Sequence, residues 1–225
     1  MTNPIYEADD AAYTILEAAI RSGELSPNQR LVEQELIERY GLSRAAIRVA
    51  LVRLEQDGVV VRPRNRGARV RSVSAAEAVE ILEVRAVLDG LAARHAARRV
   101  TDADIEELRR LGDEMATAHK DGDIVKMAAA NGRIHHLIVE MSAQRTLQRL
   151  SASLNSHMVR FQFSTFSIAG RPDVSLAEHR AIIEAIADRD PEAAEQAMRT
   201  HSDNVARALQ RRLKALRGRP GCGGL

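Results

Sequence analysis

The chain has 225 residues, of which 45% are hydrophobic, 28% charged and 3% aromatic, and its formal net charge is +2. This composition predicts one large or two small folded domains and excludes a disordered polymer. The single cysteine, Cys222, excludes a disulfide scaffold and a cysteine-rich zinc site. No apolar run is long enough to span a membrane, and the first residues lack a signal-peptide pattern, so we expect a cytoplasmic protein with no membrane partner.

The first elements have the spacing of a helix-turn-helix. Apolar residues over 10–22 recur with helical periodicity and stop at Gly23, and those over 31–40 form a second short helix that ends at Gly41. Ser43 then caps a third helix, whose apolar residues lie on one face. A glycine turn between two short helices is typical of DNA-binding modules.

Two arginines define the polar face of the third helix. Arg44 and Arg48 are four residues apart and lie in its first turns, the part of a recognition helix that reaches base edges. The planar guanidinium group of arginine suits guanine O6 and N7. Both residues are therefore candidate base contacts.

A short hairpin with a cationic tip follows the third helix. Residues 59–61 and 68–70 are β-type runs, and residues 62–67 between them have the chemistry of a turn. Placed after a recognition helix, such a hairpin is a wing, whose tip contacts the minor groove or phosphates. We therefore predict a winged helix-turn-helix domain over residues 10–73.

The charge distribution agrees with this prediction. Residues 39–71 contain nine arginines against two acidic residues, whereas residues 1–38 contain two arginines against eight acids. A local basic block of this kind is typical of phosphate binding. A solvated arginine-rich face is the alternative, since 30 of the 33 cationic residues are arginine.

Residues 42–60 resemble the recognition-helix signature of the GntR family of bacterial transcription regulators. Ala45 and Ala46 stand where that family usually has Thr-Pro, and Val49 replaces a usual glutamate, but both arginines are kept. The resemblance implies double-stranded operator DNA as a partner and a set of DNA-contacting residues. These are Ser43, Arg44 and Arg48 on the helix and Arg64, Asn65, Arg66 and Gly67 on the wing.

The rest of the chain predicts an all-α antiparallel helical bundle over residues 74–217, followed by a flexible tail over 218–225. Ser74 and Ser175 begin capping boxes, Thr101 begins a weaker one, and Asp190 precedes a proline suited to the first helical turn. The six predicted helices cover residues 76–98, 102–119, 123–141, 145–166, 175–188 and 191–216. The fold class is therefore mostly α, with three N-terminal helices and a β-hairpin wing before the bundle.

Four polar residues fall inside the apolar stripes of this bundle. Asn131 and His135 share one helix, and His179 and His201 lie on two others. A single inward histidine is more often a hydrogen-bonded core residue than a ligand. Three in register are harder to explain in that way, because each buried polar group needs a partner. A divalent transition metal such as Zn or Ni is an economical common partner, since it suits imidazole ligands in a helical bundle.

The same stretches resemble the ligand-bearing parts of the FCD effector domain, which accompanies the GntR module in the FadR subfamily. Six helices rather than seven are similar to its VanR branch. That family commonly has Asp where this chain has Asn131, whose amide oxygen brings no charge. The resemblance also implies an effector pocket in which Arg85 faces a carboxylate and Asn155 is a further lining residue. A surface ion pair of Arg85 with Glu83 or Asp89 is the alternative.

We therefore expect a homodimeric repressor without enzymatic activity, whose affinity for its operator a small carboxylate effector controls. A helical-bundle metalloenzyme using the same histidines is one alternative, although the inward stripes offer no evident carboxylate as general base. An architectural DNA binder without an effector is the other.

Overall fold

The computed structural model describes residues 4–64, 66–157 and 165–217, and the chain divides into two compact units at Val73–Ser74. Asn65 of the predicted wing and the predicted tail over 218–225 lie outside these residues, and so does the side chain of Asn155. None of the described helices is long and apolar enough to cross a membrane.

The N-terminal unit is a winged helix-turn-helix. Its helices are α1 (Pro4–Arg21), α2 (Glu33–Tyr40) and α3 (Arg44–Gln56), and its strands are β1 (Arg30–Leu31), β2 (Val60–Val61) and β3 (Ala68–Val70). The antiparallel sheet has the order β1-β3-β2, with Val60 opposite Val70. The predicted winged fold is confirmed.

One N-terminal boundary prediction is wrong. The apolar periodicity predicts that Leu31 and Val32 belong to the second helix, but Leu31 belongs to β1 and pairs with Ala68 of the wing. The helix begins only at Glu33, after Val32 in an extended conformation. Pairing with a strand far along the chain overrides a local apolar pattern that suits helix and strand equally.

Packing in the N-terminal unit orients α3. Ile47, Ala50 and Leu54 on α3 have essentially no exposed surface and pack in one core with Leu16 of α1. Because this face is buried, the arginine face of α3 is presented to solvent. Gly41 adopts the left-handed conformation, with φ +65°, that turns the chain between α2 and α3.

The C-terminal unit is a bundle of six described helices. They are α4 (Ala75–Ala97), α5 (Asp102–Lys120), α6 (Ile124–Met141), α7 (Arg145–His157), α8 (Arg171–Ala187) and α9 (Pro191–Arg217). Helix α9 packs on α4 and α8, while α4 also packs on α6. The core is aliphatic, and its largest fully buried side chains include Leu108, Met115, Ile134 and Ile182.

Helix caps in this unit follow the predicted signals with one exception. Thr101 and Asp104 form a reciprocal capping box, and the Ser74 hydroxyl accepts a hydrogen bond from the Glu77 N–H. The predicted box beginning at Ser175 is wrong, because α8 already begins at Arg171 with Pro172 in its first turn. Ser175 lies inside the helix and is buried.

Candidate functional sites

The first candidate site is the exposed face at the start of α3. The Ser43 hydroxyl accepts a hydrogen bond from the Ala46 N–H at 3.1 Å and so caps the helix. Arg44 and Arg48 both project from the polar face into solvent, as their spacing predicts. Two guanidinium groups and one hydroxyl group therefore lie at the end of the helix that would enter a DNA groove.

Two residues of α2 contact these arginines, and the sequence pattern alone does not predict either contact. Arg44 Nη2 donates to the Gln34 amide oxygen at 3.0 Å. Arg48 Nε donates to both carboxylate oxygens of Glu33, at 3.0 and 2.9 Å. The sequence feature that points to these two contacts is the polar first turn of α2, because in a helix-turn-helix this turn lies beside the recognition helix.

The wing carries further exposed arginines. Arg64 and Arg66 are exposed on either side of Asn65, and Gly67 adopts a left-handed conformation with φ +70° that returns the chain into β3. The side chain of Arg69, by contrast, donates to the backbone carbonyl of Asn28 at 3.0 Å. Arg64 and Arg66 thus add exposed positive charge to the unit that carries α3.

The second candidate site lies inside the C-terminal bundle, where His135 on α6, His179 on α8 and His201 on α9 meet. One nitrogen of each ring lies within 4.8 Å of the corresponding nitrogens of the other two. The ring centroids are 4.4–5.4 Å apart, and all three side chains are buried. The structure therefore brings together three predicted residues that are far apart in the sequence.

Hydrogen bonds orient two of the three rings. Nδ1 of His179 lies 2.7 Å from the backbone oxygen of Ser175, which can only accept, so this nitrogen carries the proton. Nδ1 of His201 lies 2.7 Å from Oε2 of Glu178. In both rings the lone pair is consequently on Nε2, the atom left available for a metal.

Burial keeps these imidazoles neutral. Desolvation lowers the pKa of His179 to about 4. The pKa values of His135 and His201 also fall well below 6.5, first through desolvation and then through repulsion by neighbouring histidines. Arg85 lowers both further, and Arg171 also lowers the pKa of His201. Neutral imidazole is the form that binds a metal.

The donor set fits a transition-metal ion. The buried Nε2 of His179, the atom with the free lone pair, has no hydrogen-bond partner among the described residues. Orphaned buried polar atoms are costly unless something satisfies them. A divalent ion satisfies several imidazoles at once, and Zn and Ni are among the metals that prefer them.

Asn131 lies half-buried on α6, one turn before His135, as its spacing predicts. Its side chain is placed on the same side of the helix as His135. Nothing in the described contacts distinguishes it as a ligand, so its predicted role stays a prediction.

Two carboxylates lie beside the histidines, contrary to the expectation that the inward stripes offer none. Glu178 receives hydrogen bonds from the buried Arg171 and from Asn204, both at 2.7 Å, in addition to its contact with His201. Asp89 on α4 is buried, with Oδ2 3.8 Å from Nδ1 of His135. The sequence does not predict either contact, because the position of each carboxylate relative to the histidines depends on how separate helices are rotated against one another.

Arg85 is predicted either to face an effector carboxylate or to form a surface ion pair, and its observed position has features of both. Its Nη2 donates to Oδ2 of Asp89 at 3.3 Å, so the predicted ion pair forms. Asp89 is buried and the Arg85 side chain is only 15% exposed, so this is not a surface pair, and Nε of Arg85 has no partner among the described residues. Burial raises the pKa of Asp89, while Arg85 opposes this rise. Asn155 belongs to α7, but its side chain lies outside the described part.

Comparison with known families accounts for both units. Residues 8–70 match the family described as bacterial regulatory proteins, gntR family, and residues 80–204 match the FCD domain. The chain belongs to the GntR family of transcription regulators, in the FadR-like subfamily that carries an FCD domain. Its function is therefore regulation of transcription by a DNA-binding unit joined to an effector-binding unit.

Relatives match over nearly the full length. The chain is 28% identical to the uncharacterized HTH-type transcriptional regulator YdhC of Bacillus subtilis, over 88% of this chain and 89% of that protein. It is 24% identical to the HTH-type transcriptional repressor RspR of Escherichia coli, over 92% and 91%. The solved structure of E. coli McbR/YncC has a TM-score of 0.79 at 20% identity and covers 95% of this chain and all of that one. This last likeness supports the fold.

Proposed function

We propose that this GntR-family protein is a cytoplasmic homodimeric repressor whose affinity for operator DNA is controlled by a small carboxylate, bound with the help of a divalent metal. Residues 10–73 form the DNA-binding domain and residues 74–217 the effector and dimerisation domain. The observation that carries the metal assignment is the convergence of His135, His179 and His201 within 4.8 Å. The relative RspR, which is named a repressor, supports the direction of control.

DNA recognition is assigned to the polar face of α3 and to the wing. Arg44 and Arg48 read base edges in the major groove, and the Ser43 end of the helix contacts the backbone. The wing residues contact phosphates or the minor groove; they are Arg64, Asn65, Arg66 and Gly67. The exposure of Arg44 and Arg48 supports these roles, because the opposite face of α3 is fully buried.

Dimerisation is assigned to α4, which carries an exposed apolar stripe. Val84, Val87 and Leu91 are 53%, 50% and 37% exposed and follow a helical spacing of three and four residues. An exposed stripe of this kind on a helix marks a protein interface. A twofold dimer places two recognition helices one helical turn apart on a palindromic operator.

The metal centre is assigned to His135, His179 and His201, with the amide oxygen of Asn131 as a fourth ligand. A bound divalent ion supplies a Lewis-acid site for carboxylate oxygens. Arg85 orients the acid through its guanidinium group, which matches carboxylate geometry, and Asn155 lines the same pocket. Effector binding and operator binding are then linked reciprocally, so each changes the affinity for the other by the same factor.

The metalloenzyme alternative has less support. Asp89 and Glu178, the carboxylates beside the histidines, are already engaged by Arg85 and by Arg171 respectively. A general base needs a free carboxylate within reach of substrate. The architectural alternative leaves the buried histidine cluster without a purpose.

Metal content of the purified protein tests this proposal directly. We expect one Zn or Ni per chain by mass spectrometry, lost in His135→Ala/His179→Ala but kept in His136→Ala. His136 is the matched control because it lies next to His135 on α6 yet is exposed. Operator binding without effector should survive in all three proteins. Metal absent from the wild type after incubation with Zn or Ni would refute the metal centre.

A further inference from the structure

The three histidines differ in what their Nδ1 atoms contact. His179 donates from Nδ1 to the Ser175 carbonyl, and Nδ1 of His201 faces Glu178, both at 2.7 Å. For His135, Nδ1 is buried and has no hydrogen-bond partner among the described residues. The nearest carboxylate oxygen to it is Oδ2 of Asp89, at 3.8 Å.

Asp89 lies closer to the guanidinium group of Arg85 than to the ring of His135. The same Oδ2 accepts a hydrogen bond from Arg85 Nη2 at 3.3 Å, and both distances are longer than those of a strong charged hydrogen bond. One buried carboxylate oxygen therefore lies between a guanidinium group on its own helix and an imidazole on α6. Neither neighbour is fully satisfied, since Nε of Arg85 also lacks a partner among the described residues.

We propose that Asp89 is the positioning carboxylate of His135 and that Arg85 competes with His135 for it. This inference rests on the metal centre proposed above. A hydrogen bond from Nδ1–H to Asp89 fixes the tautomer of His135, directs Nε2 towards His179 and His201, and makes that nitrogen a stronger ligand. All three histidines are then supported in the same way, by an oxygen behind Nδ1.

The competition gives the site a physical link between effector and metal. An anion that occupies the guanidinium group of Arg85 weakens its hold on Asp89, and Asp89 then closes on His135. Metal binding and anion binding thus favour one another. Asp89 also brings negative charge near the ion, which Asn131 does not. The other charged groups of this interior, Arg171 and Glu178, are paired with each other.

Metal affinity of single and double variants tests the inference. Zn²⁺ dissociation constants are measured by competition with a chromophoric chelator, and Co²⁺ absorption bands report the ligand geometry. We expect Asp89→Asn to weaken Zn²⁺ binding about 10- to 100-fold and to alter the Co²⁺ bands. Glu83→Gln is the matched control, because it makes a similar charge change at an exposed position on the same helix, and it should leave affinity unchanged.

A double-mutant cycle separates competition from charge repulsion. Arg85→Gln should tighten Zn²⁺ binding in the wild-type background but not in the Asp89→Asn background. Equal tightening in both backgrounds would show simple repulsion of the ion by Arg85 and would overturn the competition. If Arg85→Gln weakened Zn²⁺ binding as much as Asp89→Asn does, the competition would also be overturned. The Arg85–Asp89 pair would then affect the metal site only by stabilising the fold.

The remaining outcomes distinguish this inference from the proposed function. If the wild type binds Zn²⁺ and His179→Ala loses it while Asp89→Asn does not, the metal centre stands and the role of Asp89 is refuted. If the wild type binds no Zn²⁺, Ni²⁺ or Co²⁺, both are refuted. Thermal unfolding of each variant shows whether a lost affinity accompanies a lost fold.

Discussion

Arg48 on α3 donates from Nε to both carboxylate oxygens of Glu33 on α2, at 3.0 and 2.9 Å. The arginine side chain is 61% exposed, so solvent screens this pair and its contribution to stability is at most about 1 kcal/mol. Such a pair aligns the guanidinium group but releases it readily to a stronger acceptor. Glu33 thus orients Arg48, the proposed base contact, and the weakness of the pair leaves Arg48 free to bind DNA.

Replacing Arg48 should damage specificity as well as affinity. We expect Arg48→Ala to weaken operator binding by about 1–3 kcal/mol and to relax base preference at one position of each half-site. Fluorescence anisotropy with single-position operator variants measures both effects. Arg53→Ala is the control on the same helix, because Arg53 faces Asp10 and Tyr13 of α1 instead. An equal loss on random DNA would make Arg48 a phosphate contact.

Replacing Glu33 should strengthen binding to random DNA. Glu33→Gln removes a negative charge beside Arg48 and frees that arginine for any phosphate. We expect affinity for random DNA to rise about twofold to fivefold, the equivalent of up to about 1 kcal/mol, and the operator-to-random ratio to fall. Anisotropy titrations over a range of salt concentrations test this. Unchanged random-DNA affinity would mean that Glu33 does not restrain Arg48.

The buried histidines should make the metal-free protein sensitive to acid. Because burial lowers the pKa of His179 to about 4 from 6.5, the unfolded chain binds a proton in this interval that the folded chain excludes. The free energy of unfolding is therefore highest above pH 6.5 and falls towards pH 4, by up to about 1.4 kcal/mol per pH unit for each such histidine. Urea unfolding followed by circular dichroism at several pH values measures the slope.

Two variants check the assignment of that slope. His179→Gln should flatten it between pH 6.5 and 4, whereas His136→Gln, at an exposed position of α6, should not. Saturating Zn²⁺ should protect the wild type against acid, since protons and metal compete for the same nitrogens. An identical slope in His179→Gln and wild type would show that other groups cause the acid sensitivity.

The Arg171–Glu178 pair should matter more for stability than any exposed pair. Arg171 is buried and the Glu178 side chain is only 11% exposed, and Glu178 also accepts from Asn204. We expect Glu178→Ala to lower the free energy of unfolding by about 3–5 kcal/mol, because it leaves the guanidinium group of Arg171 buried without its counter-charge. Glu184→Ala on the same helix removes an exposed pair with Arg109 and should cost below about 1 kcal/mol. Equal losses would contradict the difference in burial.

Local signals predicted most elements of the fold. Ser43 and Thr101 cap helices where the sequence places them, because capping depends on atoms three residues apart. Glycine turns and helical periodicity are likewise local. Helix α8 begins one turn before the predicted start, because Pro172 occupies its first turn and Ser175 lies inside the helix instead of capping it. The strand β1 was missed because its partner lies almost 40 residues further along the chain.

The sequence by itself determined the family, the winged helix-turn-helix and the inward direction of His135, His179 and His201, since helical periodicity places a residue on a buried or exposed face. Only the tertiary structure decided that the three rings meet within 4.8 Å. It alone placed Asp89 between Arg85 and His135, and Glu33 against Arg48. Periodicity determines the face of one helix, whereas distances between helices depend on how their surfaces pack and rotate against each other.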